Sequence, residues 1–151
     1  MTAEGLARAV EIFGSFLTPP CAATLGWRLI DADPEAGTIR IGFEGKPEFV
    51  NPSGFIQGGF LAAMLDDTMG PAVFTMTEGK LYTATITMTV NFLSPAKPGP
   101  ITGEAKVTQL GKTVAFVEGR LTAADGTLLA TATTSARLVE TAKAIVVSAS
   151  R

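Results

Sequence analysis

The segment from Gly59 to about Thr77, Gly-Phe-Leu-Ala-Ala-Met-Leu-Asp-Asp-Thr-Met-Gly-Pro-Ala-Val-Phe-Thr-Met-Thr, is apolar on almost every side when wound as a helix. Only Asp66 and Asp67 interrupt it. A helix without a polar face has no stable place at a protein surface, so the rest of the chain must enclose it. Gly70-Pro71 is expected to kink or shorten it, because proline lacks the backbone N–H and its ring crowds the preceding turn.

What remains reads as one amphipathic helix and a set of strands. Leu6, Ala9, Val10, Phe13 and Phe16 recur at helical spacing and stop before Pro19-Pro20. Thr24 to Asp31 and Thr38 to Phe43 are β-rich, and Asp33-Pro34-Glu35-Ala36-Gly37 between them supplies turn chemistry, which predicts a hairpin. Lys46 to Gly59 is punctuated by Pro47, Asn51, Pro52, Gly54, Gly58 and Gly59 and is expected to be a loop. From Thr83 to Leu93, threonines at 83, 85, 87 and 89 alternate with Ala84, Ile86, Met88, Val90 and Phe92, the period of a strand with one polar and one apolar face. Three further strands, Ile101 to Leu110, Thr113 to Ala123 and Thr127 to Val139, are separated by Gly111-Lys112 and Asp125-Gly126 and form a meander. The order predicts an α+β fold in which an antiparallel sheet wraps one helix. At 151 residues the expectation is one domain over 1–139, with 140–151 as a loosely held tail.

Composition removes much chemistry. The chain has no histidine and one cysteine, Cys21, which excludes imidazole acid–base catalysis, histidine nucleophile systems, intramolecular disulfides and thiolate metal clusters. No metal and no bound cofactor are therefore expected. A net charge of −2 offers no field for nucleic acid or acidic membranes. Glu4, Arg8 and Glu11 break the apolar run at the N-terminus, and no stretch approaches about 20 apolar residues, which points to a cytoplasmic protein with no membrane partner. With 46% hydrophobic and 17% charged residues, part of the surface is expected to lie between subunits.

Carboxylates, amides, hydroxyls and backbone N–H groups remain as candidate reagents. Asn51-Pro52-Ser53-Gly54-Phe55-Ile56-Gln57-Gly58-Gly59 runs directly into the apolar helix. A helix start has unpaired N–H groups and partial positive charge, suited to an oxygen on which negative charge develops. Gln57 and Asn51 add side-chain amides, and a Gly-Gly pair is equally compatible with a plain tight turn. Asp66 and Asp67 project about 100° apart around the helix, so at most one faces a given site. Asp66 stands about 12 Å along the axis from Gly58, so one helix cannot offer both groups to one carbonyl. If both act, the carboxylate must come from a second, antiparallel copy of the helix.

These residues resemble the hotdog-fold thioesterases, and among them the PaaI-type acyl-CoA thioesterases. The resemblance is carried by Asn51…Gly54…Gly58-Gly59, by Ala-Ala-Met-Leu-Asp66, by Thr-Val-Asn-Phe-Leu-Ser-Pro-Ala at 89–96 and by Gly111-Lys112-Thr113, over roughly Lys46 to Val139. It implies the hotdog fold, a homodimer or homotetramer, and hydrolysis of aryl or short- to medium-chain acyl-CoA at sites shared between subunits. On that resemblance Gly58, followed by Gly59, gives the oxyanion-binding N–H. Asn51 holds the attacking water or the loop, Asp66 of the partner chain is general base or nucleophile, Thr85 orients the water, and Lys112 and Thr113 lie near the nucleotide part of CoA. The family usually has His-Gly-Gly where this chain has Gln57-Gly58-Gly59. Glutamine keeps a donor beside the thioester and cannot titrate near neutrality. That departure leaves open a different class, a non-catalytic hotdog module that binds acyl-CoA or another hydrophobic ligand. Trp27 is expected to be a packing residue, and Cys21 has no visible partner base.

Overall fold

The computed structural model describes residues 2–145. An N-terminal helix α1 (Ala3–Gly14), capped by the Thr2 side chain accepting from the Gly5 N–H at 3.0 Å, precedes a short α2 (Pro20–Leu25). Strands β1 (Arg28–Asp33) and β2 (Thr38–Gly45) follow, then the helix α3 (Gly58–Met76) and four strands, β3 (Leu81–Phe92), β4 (Gly99–Leu110), β5 (Val114–Ala123) and β6 (Leu128–Glu140). A last turn of helix, α4 (Thr141–Ala144), ends the described chain. The six strands form one antiparallel sheet in the order β1-β2-β4-β5-β6-β3. This is the α+β hotdog arrangement, a curved antiparallel sheet around a central helix.

The core lies between α3 and the sheet. Ile39, Ile41 and Phe43 of β2, Ile101 of β4 and Leu121 of β5 meet Met64, Leu65 and Met69 of α3, all excluded from solvent. Two glycines let the helix come this close. A Cβ at Gly103 of β4 would fall 2.3 Å from Thr68 Oγ1, and one at Gly119 of β5 would fall 2.9 Å from Met69 Cγ. No helix among the described residues is long and apolar enough to cross a membrane.

Several local expectations change. Thr24 and Leu25 close α2 instead of opening a strand, because Pro20 sits in its first turn and Gly26, at φ 70°, ends it in the left-handed conformation. The segment Lys46 to Gly59 contains a 3-10 turn, Pro47–Phe49, and yields its last two residues to α3. Pro71 does not shorten α3, which continues to Met76. The carbonyl of Asp67, four residues earlier, loses its helical donor to the proline and instead accepts from the Trp27 indole N–H at 2.9 Å. In β3 the strict alternation breaks at a bulge between Thr85 and Thr87, which leaves Ile86 60% exposed. Glu140 completes β6, and the Thr141 N–H donates to the Lys80 carbonyl at 3.0 Å, so the predicted tail begins as attached structure. Its residues 146–151 lie outside the described residues.

Candidate active site

The loop entering α3 is held by its own polar groups. Asn51 Oδ1 accepts from the N–H of Ser53 at 3.0 Å and of Phe55 at 3.2 Å. The Asn51 N–H returns a bond to the Phe55 carbonyl at 2.7 Å. The Gln57 N–H donates to Phe49 O and the Ile56 N–H to Ala96 O, each at 2.8 Å, which ties the loop to the segment after β3. Phe49 stacks on Phe60 with ring centroids 4.2 Å apart, fixing the direction in which the helix leaves. Asn51 thus holds the loop.

That arrangement leaves the helix start open. The Phe60 N–H donates to Gln57 O at 3.0 Å, whereas the N–H groups of Gly58 and Gly59 have no acceptor among the described residues. The Gln57 side chain is exposed and caps no helix amide. Gly58 is packed on its other side: a Cβ there would stand 3.1 Å from Phe92 Cζ. Two unpaired amides at the positive end of a 19-residue helix form a place for a developing oxyanion.

Asp66 is exposed on α3, and its Oδ1 accepts from the Thr85 hydroxyl at 2.8 Å. Thr85, expected to orient a water, donates to the carboxylate, and its oxygen keeps acceptor capacity. The β3 bulge lies immediately after it. Two further contacts fix how helix and strand run past each other. Gly70 faces Thr83, with a built Cβ 3.0 Å from its hydroxyl, while Gly58 faces Phe92. The helix start and Asp66 therefore sit against different parts of β3, near Phe92 and near Thr85 respectively. Within one chain they are not brought together.

Lys112 and Thr113 lie exposed in the β4–β5 turn and make no side-chain hydrogen bond to the other candidates. Val114 pairs with Arg137 and Arg137 with Ala84, so this turn stands two strand spacings, roughly 10 Å, from the Asp66 end of β3.

Sequence reasoning weighed Asp67 beside Asp66 without giving it a role, and passed over Tyr82. Asp67 is half-buried, with Oδ2 lacking any hydrogen-bond partner among the described residues. Burial first, and the neighbouring Asp66 charge second, push its carboxyl up to about 7. Tyr82 of β3 is raised from its ordinary value by burial and then by Asp66, Cys21 and Asp67. Trp27 packs edge-on against Phe13, as expected of a packing residue, and is also the donor that α3 needs. The spacing Asp67-x-x-x-Pro71 signalled that need, although it did not name the donor. Among the described residues no three His, Cys, Asp or Glu side chains gather to hold a metal ion.

Comparison with known proteins agrees with this architecture. The family model of the thioesterase superfamily matches residues 53–130, just over half of the chain. A protein of Saccharolobus solfataricus described as a candidate esterase is 35% identical over 94 residues, covering 62% of this chain and 66% of that protein. The chain thus spans just under two thirds of the length of that relative. Among solved structures, a candidate thioesterase of Ralstonia eutropha JMP134, described as related to phenylacetic acid degradation, is 35% identical with a TM-score of 0.79. The match covers 86% of this chain and 98% of that one. A Streptococcus mutans protein solved with acetyl CoA shares the fold at 19% identity and a TM-score of 0.67, over 76% of this chain and 89% of that one. From the open helix start through Asp66 and Thr85 to the six-stranded wrap, the chain belongs to the thioesterase superfamily, with its hotdog fold and PaaI-related neighbours.

Proposed function

We propose that the protein hydrolyses acyl-CoA thioesters of aryl or short- to medium-chain acids, without a metal or bound cofactor, at sites built by two copies of the chain. The observation that carries this reading is the exposed Asp66 carboxylate, held by Thr85 on the central helix, together with free Gly58 and Gly59 amides at that helix's start. The relatives described as thioesterase or esterase, and the fold-mate solved with acetyl CoA, support the same substrate class.

Placement of these groups supports a shared site. β3 is an edge strand of twelve residues, with Tyr82, Ile86 and Phe92, and Leu93 just beyond it, each 45–60% exposed. A long edge carrying apolar side chains is a template for pairing with another chain. Antiparallel pairing of two β3 strands, centred near Met88 and Thr89, sets Phe92 of one copy opposite Thr85 of the other. Because Phe92 marks the helix start and Thr85 marks Asp66, the same pairing brings the amides of one helix to the carboxylate of its twin.

In that site the thioester oxygen takes hydrogen bonds from the Gly58 region as it becomes negative. Asp66 of the other copy either draws a proton from water attacking the carbonyl carbon, or attacks that carbon itself to give a mixed anhydride that water then opens. Both routes expel CoA thiolate. Gln57 can donate to the acyl group, and in this reading the exposed Lys112 and Thr113 take the nucleotide end of CoA.

Thiol release from phenylacetyl-, benzoyl- and medium-chain acyl-CoA tests the reading. Turnover is expected in the native chain and a loss of about 100-fold or more in Asp66→Asn, with substrate binding retained. Tight binding without thiol release would instead make the protein an acyl-CoA-binding module, the class that Gln57 in place of histidine would suit.

A further inference from the structure

Asp66 is followed by a second acid whose position differs from it in every physical respect. Asp66 is exposed and bonded to Thr85, whereas the Asp67 side chain projects about 100° away around the helix and is half-buried. Its backbone is pinned by the indole bond to the Asp67 carbonyl, and its Oδ2 is enclosed without a donor. A carboxyl that served only to hold the fold would have a partner, because an unpaired buried carboxylate oxygen destabilises it.

We propose that Asp67 is a positioning residue of the active site that sets the charge against which Asp66 works. The inference rests on the thioesterase reading above. As Asp67 loses its proton near neutrality, it adds a negative charge on the residue next to Asp66. Both routes to hydrolysis move negative charge off Asp66, onto the thioester oxygen when Asp66 attacks or through proton uptake when it activates water. A second negative charge on the adjacent residue favours that movement.

The groups facing Asp67 allow this effect to be felt. Asp66 is the charged neighbour on α3 itself. Tyr82 comes from β3 and senses both acids, with Cys21 of α2 beside it. Arg40, Glu104, Glu118, Arg120 and Arg137 alternate with the buried positions of β2, β4, β5 and β6 and so lie on the sheet face away from the helix. Arg28 of β1 lies against Gly42. No ion pair to Asp67 occurs among the described residues.

The test compares the native chain with Asp67→Asn, which keeps the shape and removes the titration. For the native enzyme kcat should rise by about 3- to 10-fold between pH 6 and 8 with a midpoint near 7, and the variant should be flat over that range with KM little changed. Carbon-13 resonances of the aspartate carboxyls, read by NMR on the full chain, give a second measurement that needs no turnover. The Asp66 signal should show a step at the pH where Asp67 titrates, and Asp67→Asn should abolish it. An Asp66 signal with no step near 7 in the native chain, or the same step in both proteins, overturns the proposal even if thiol release is found. Absence of thiol release overturns the thioesterase reading, and with it the role given to Asp67.

Discussion

Replacing Trp27 with phenylalanine removes the indole donor to the Asp67 carbonyl while keeping an aromatic ring beside Phe13. The carbonyl lies in the middle of α3, and Pro71 supplies no N–H to take over. Leaving a partly buried carbonyl unpaired costs about 1–3 kcal/mol, and the smaller ring adds roughly 1 kcal/mol of lost packing. A destabilisation of about 3 kcal/mol, or roughly 6–12 °C in Tm, is expected for Trp27→Phe. Changing Pro71 to alanine restores an N–H in helical register with the Asp67 carbonyl. In the Pro71→Ala background the cost of Trp27→Phe should therefore fall by about 1–2 kcal/mol, leaving mainly the packing loss. Urea unfolding of the four proteins at one pH measures this coupling directly. Equal costs of Trp27→Phe in the native and Pro71→Ala backgrounds would show that the indole bond does not replace the missing helical one.

Further expectations follow from the same contacts. Asp67→Asn should alter stability with pH. The folded chain keeps the Asp67 proton between about pH 4 and 7 where the unfolded chain has released it, so the contribution is whole below about 4 and is lost as pH rises through 7. Three pH units set a ceiling of about 4 kcal/mol on the resulting gap between variant and native chain, and parallel urea stabilities of the two proteins from pH 4.5 to 8 would refute it. Thr85→Val removes the donor to Asp66 and should lower kcat about tenfold or more with the circular dichroism unchanged; an unaltered kcat would exclude Thr85 from orienting the carboxylate. Asn51→Ala deletes two acceptor bonds in the loop before α3, a loss of about 1–2 kcal/mol. Faster hydrogen exchange at the Ser53 and Phe55 amides should accompany it, and undiminished protection would show that the loop is held by other means.

Local pattern was legible wherever one neighbour decides the conformation. The apolar α3 could only be central, the Asp33–Gly37 turn could only join two strands, and the missing histidine confined the chemistry to carboxylates and amides. Proline and glycine chemistry also marked where α2 ends, yet the β-rich composition of Thr24 and Leu25 obscured it: Gly26 in the left-handed conformation outweighed their strand preference. The bulge after Thr85 was invisible because alternating threonines look the same with or without one extra residue in the ladder.

The sequence by itself thus determined the enclosed helix, the antiparallel wrap and the candidate reagents, since these depend on side-chain polarity and short-range spacing. It also forced Asp66 and Gly58 apart, because helical rise is fixed by the backbone. Only the tertiary structure decided that Thr85 reaches Asp66, that the indole of Trp27 crosses 40 residues of chain to satisfy the carbonyl Pro71 leaves bare, and that Asp67 turns inward without a donor. Those outcomes depend on which faces of distant segments meet, and side-chain polarity along a chain does not encode who stands opposite whom.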